Sequence, residues 1–169
     1  MGSSATYIVA RAARPLTNLA AMQTSGCMPE WWARDGNWQI LRAEPGGDPE
    51  SSIVSETGAP VLTAHVLDSD FVMVEAASPN GLSWRCALSP VMARDYDIPE
   101  EWIGDPDDVA RQAELWALEA GLQPDLPELR ATLVAECDPL AEELVFRLTH
   151  ALGFRFDGGM PLPEALGGP

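Results

Sequence analysis

Proton transfer near neutral pH, thiol attack and soft-metal ligation all draw on histidine and cysteine. The chain of 169 residues has two histidines, His65 and His150, and three cysteines, Cys27, Cys86 and Cys137. Two histidines are too few for a His-rich metal site. The cysteines are odd in number, lie more than fifty positions apart and lack the paired spacing of zinc or disulfide motifs. Neither a metal nor a cofactor is expected, and the thiols read as reduced, small apolar side chains.

His150 falls near the end of a helical stretch, where an imidazolium complements the helix dipole. His65 falls in a β-rich run, and Cys86 could lie near it across a sheet. Yet Cys86 alternates with Trp84 and Leu88 on an apolar face, and burial there makes a thiol inert. A serine nucleophile would need a Gly-x-Ser-x-Gly elbow, which Gly81-Leu82-Ser83-Trp84-Arg85 does not supply. The glycine pairs Gly46-Gly47 and Gly158-Gly159 fit no phosphate-binding pattern.

The run Asp95, Asp97, Glu100, Glu101, Asp105, Asp107 and Asp108 suggests a hard cation until its register is counted. A calcium loop begun at Asp95 would put Pro99 at its fifth position, Glu100 where glycine is required and Pro106 where the bidentate glutamate belongs. The acids are better read as a solvated, partner-facing run. Trp31, Trp32 and Trp38, with Arg34 close by, form an aromatic and cationic group of the kind that anchors interfaces or, equally, lids a core. Gly26, Pro29 and Gly36 place that group in a loop.

The elements that must position these residues follow from hydrophobic period and turn signals. Tyr7–Ala10 and Trp38–Leu41 read as strands, and Asp48-Pro49 opens a short helix that Gly58 closes. From Ala59 to Pro90, three β-rich runs separated by Ser69-Asp70 and by Pro79-Asn80-Gly81 predict an antiparallel meander. A three-residue turn at Pro79-Asn80-Gly81 sets Val72 opposite Leu88, Val74 opposite Cys86 and Ala76 opposite Trp84, with Glu75 opposite Arg85 on the other side. At Asp68-Ser69-Asp70 a two-residue and a three-residue loop are both open, and the choice decides where His65 points; the three-residue loop would gather Phe71, Met73, Leu67 and His65 on a face too apolar for water, to be covered by helices or by a partner.

Beyond Asp105 the period becomes helical. Asp105 is the expected N-cap, with Pro106 in the first position and Asp107 and Asp108 in the first turn. A leucine-spaced stretch from Leu126 to Leu152 is split in two at Asp138-Pro139. The fold class expected is α+β, an antiparallel sheet of about five strands with a C-terminal three-helix segment packed on one face. Residues 1–156 form a single domain, sheet-rich over 1–94 and helical and acidic over 95–156, and 157–169 form a loose tail rich in Gly and Pro.

Charge divides the same way. Residues 1–94 hold nine acids and six arginines, whereas residues 95–169 hold seventeen acids and four arginines, of a total net charge of -16. That asymmetry disfavours nucleic acid and anionic membranes and suits a basic protein partner. No leader or membrane-spanning run is read in the sequence, so the expected compartment is the cytoplasm.

With no enzyme signature, the function expected is a non-catalytic, immunity-like binding or inhibitory module acting on a basic partner. Its interface is drawn from Trp31, Trp32, Arg34, His65, Phe71, Met73, Asp95, Asp97, Glu100 and Glu101. One alternative is a small-molecule-binding protein or enzyme with a pocket around His65, Glu75, Arg85 and a tryptophan. Another is an accessory domain that forms a homodimer through the sheet face. In each case the seam between the neutral and the acidic half is the place to look.

Overall fold

The computed structural model describes residues 2–46 and 49–161, with side chains described as far as residue 156. It is an α+β fold built on one seven-stranded antiparallel sheet in the order β6-β5-β4-β1-β3-β2-β7. The strands are β1 (Ala5–Arg11), β2 (Pro29–Asp35), β3 (Trp38–Ala43), β4 (Val61–Leu67), β5 (Phe71–Ala77), β6 (Ser83–Leu88) and β7 (Asp157–Pro161). The helices are α1 (Ala20–Thr24), α2 (Glu50–Thr57), α3 (Pro90–Asp95), α4 (Glu100–Ile103), α5 (Pro106–Glu119), α6 (Leu126–Val134) and α7 (Glu142–Leu152). Among the described residues, no helix is long and apolar enough to cross a membrane.

The meander β4-β5-β6 forms, with β5 and β6 in the expected register. Val72 pairs with Leu88, Val74 with Cys86, Ala76 with Trp84 and Glu75 with Arg85. Gly81 takes the left-handed conformation that closes the turn, with φ +86°. Leu67 pairs with Phe71 across Asp68-Ser69-Asp70, so this loop too has three residues, and Leu62, Ala64 and Val66 face the core.

Alternation then gives the sheet two buried faces. The first carries Tyr7, Val9, Ile40, Leu62, Val74 and Trp84 and is covered by α5, α6 and α7, whose Trp116, Leu129 and Leu148 are fully buried. Asp105 caps α5 by accepting from the Asp108 amide at 3.1 Å, and Asp125 caps α6 by accepting from the Glu128 amide at the same distance. Glu142 and Glu143 stand in the first turn of α7.

The second face is covered in two patches. At one end Ile8, Leu41 and Val61 lie under α1, α2 and the 3₁₀ turn Leu16–Asn18; at the other, Phe71 and Ala87 lie under α3 and α4, against Ala93 and Ile103. The apolar face read from Phe71 and Met73 is therefore covered by this chain's own helices. Asp48, the expected cap of α2, lies outside the described residues.

Three elements depart from the sequence reading. The segment expected to loop between β1 and β3 is instead strand β2, joined to β3 by a two-residue hairpin at Gly36-Asn37 in which Gly36 has φ +62°. Part of the expected loose tail, Asp157–Pro161, forms β7 and pairs with β2 through Trp31 and Pro161 and through Trp32 and Met160. The sheet thus has seven strands where about five were expected. The acidic run from Asp95, to which the sequence reading assigned no element before Asp105, closes α3 with Asp95 and opens α4 with Glu100 and Glu101.

The short helix α3 has an unusual cap. Ser89 is fully buried with φ 59°, and its hydroxyl donates to Glu136 Oε2 at 2.6 Å while the Val91 amide donates to Glu136 Oε1 at 2.9 Å. A carboxylate from the loop after α6 thereby supplies the cap and ties the helices of one face to those of the other around β6.

Candidate functional site

Between the two covered patches, the second face of the sheet is polar. Thr63, Glu75 and Arg85 are in register across β4, β5 and β6. Thr63 Oγ1 donates to Glu50 Oε2 of α2 at 3.3 Å, and the Arg85 guanidinium lies over the Trp102 ring at 4.6 Å. The chain leaves α4 at Gly104, where φ is +76° and an added Cβ would come within 2.9 Å of Val109 Cγ2. It then turns around the edge strand β6 into α5. This corner shields an edge that would otherwise offer unpaired backbone groups.

These elements enclose a cleft of about 510 Å³. Its walls bring Glu50 from α2, Glu75 from β5, Glu101 from α4 and Asp105 and Asp108 from the start of α5 around one cation, Arg85. Five carboxylates against one guanidinium give a formal charge of −4. Trp84, Val109 and Ala76 supply the apolar wall, and Ser83 and Gln112 add neutral polar groups. Asp108 also contacts Arg111 along the helix, in an exposed pair that solvent screens. The cleft lies on the seam between the neutral and the acidic half of the chain.

The candidate residues read from sequence do not converge. Trp31 is on the first face, edge-on to Phe146 of α7 at 5.8 Å. Trp32 is on the second face, buried, with its indole donating to Gln39 Oε1 at 2.8 Å. Arg34 is exposed over the Trp32 ring at 5.5 Å. Phe71 is buried under α3 and α4, and the half-buried Met73 packs beside it. Asp95 and Asp97 are exposed around the end of α3. Glu100 is bound by Arg94 at 2.7 Å, and that hydrogen bond holds its carboxyl below the usual range. Of the four acids assigned to the interface, Asp95, Asp97, Glu100 and Glu101, only Glu101 reaches the cleft.

His65 does not line the cleft. It is half-buried, one register step from Glu75, and its Nδ1 lies 3.0 Å from Thr6 Oγ1. The pocket expected around it thus keeps Glu75, Arg85 and a tryptophan but not the imidazole. Trp84 is that tryptophan, and Glu50, Asp105 and Asp108, which sequence reasoning did not assign to the site, complete it. The signal available for Asp105 and Asp108 was their place at a helix start, which explains them equally well as capping residues.

Cys86 is fully enclosed, and burial pushes its thiol up to about 12. A thiol-labelling experiment on the folded protein at pH 8 should leave Cys86 unmodified until denaturant is added. Labelling of Cys86 in the native state would contradict the burial. Among the described residues there is no group of three or more His, Cys, Asp or Glu side chains arranged to hold a metal ion. No protein-family model, curated protein or solved structure matches this chain.

Proposed function

We propose that this protein is a non-catalytic binding module that receives a basic protein partner, in the manner of an inhibitory or immunity-like protein, and that the acidic cleft beside β6 is where the partner's cationic side chains enter. The observation that carries the reading is the convergence of five carboxylates from α2, β5, α4 and α5 on one concave site of about 510 Å³. Like charges brought together from four elements cost folding energy, and an arriving cation offsets that cost. The surrounding helical half adds a long-range negative field that steers a basic partner toward the cleft.

A triple variant, Glu101→Gln with Asp105→Asn and Asp108→Asn, tests it. Asparagine at position 105 keeps a capping oxygen for α5. The wild-type chain, immobilised, should retain a basic protein at about 50 mM salt and release it at roughly 300 mM. The variant should bind at least about tenfold more weakly while unfolding near the wild-type temperature, since relief of repulsion offsets the lost Asp108–Arg111 pair and the helix-dipole contribution of the first-turn acid. Retention indifferent to salt, or equal retention by the variant, would sink the reading.

A second reading is favoured by one feature: the cleft volume falls in the range of small-molecule sites, about 300–1,000 Å³, and Glu75, Arg85 and Trp84 share it. A small cationic metabolite raising the melting temperature of the wild type, with no basic protein retained, would select that reading instead.

A further inference from the structure

We draw no further inference here: the strongest candidate, the apolar groove of about 270 Å³ between α3, α4, α5 and the end of α6, flanked by the exposed Val91 and Val134, has its charged groups already engaged, Arg94 with Glu100 and Glu136 with the cap of α3, and nothing in the structure shows what covers it.

Discussion

Replacing Trp116 by alanine should lower the stability of the protein by about 4 kcal/mol, toward the upper end of what single core truncations cost. Trp116 is fully buried on α5 at the centre of the first face. Its ring lies 6.3 Å from those of Trp84 and Phe154 and 6.4 Å from that of Trp38, and its indole donates to the Ala77 carbonyl at 2.9 Å. The substitution opens a cavity that four elements line and leaves that carbonyl unpaired at the end of β5. Leu118 lies two residues away on the same helix but is 54% exposed, and Leu118→Ala should cost no more than about 0.5 kcal/mol. Urea unfolding of the two variants checks the contrast; a Trp116→Ala loss below about 1.5 kcal/mol would mean that α5 is not the keystone of this face.

The second large effect is expected at a polar residue. Gln39 of β3 is fully buried on the other face and uses both ends of its amide. Its Oε1 accepts from the Trp32 indole at 2.8 Å and the Leu16 amide at 3.0 Å, and its Nε2 donates to the Ala12 and Arg14 carbonyls at 2.9 and 2.8 Å. The 3₁₀ turn that begins the cover of this face is thereby fastened to the sheet. Gln39→Leu keeps the size of the side chain and leaves four groups without partners, so a loss of about 3 to 5 kcal/mol is expected. Gln39→Glu should recover little, because two carbonyls would then face an acceptor. An unfolding midpoint for Gln39→Leu within error of the wild type would contradict this account of the cover.

The meander was legible because two local signals agreed. Period-two alternation fixed which residues share a face, and Pro79-Asn80-Gly81 fixed the register, so the Glu75 and Arg85 pairing followed by counting. Strand β2 was not legible because both of its faces are covered. Trp31 packs on α7 and Trp32 inside the other layer, so neighbouring residues are both apolar, while Pro29 and Gly36 mark its ends as they would mark a loop. Helices α3 and α4, of six and four residues, are too short to show a period. The cap of α3 comes from Glu136, nearly fifty positions away, which no local reading can see.

The candidate site was half legible for the same reason. Charge asymmetry pointed to the seam between the two halves, and Glu75, Arg85 and Glu101 were noticed there. Glu50 joins them only because α2 lies over β4, and Asp105 and Asp108 only because the chain turns around β6 at Gly104. His65 drew attention as one of two histidines, yet its strand position sets it beside the cleft and not in its wall.

The claim on which the functional account depends is that cations bind at this cleft and not over the acidic surface at large. Amide chemical-shift mapping of the full isotopically labelled chain, titrated with acetyl-Gly-Arg-Gly-amide at about 50 mM and roughly 300 mM salt, addresses it most directly. The shifts should centre on Glu75, Ser83, Arg85, Glu101 and Gln112 and should shrink at the higher salt. Shifts centred elsewhere on the helical half, or absent altogether, would contradict it.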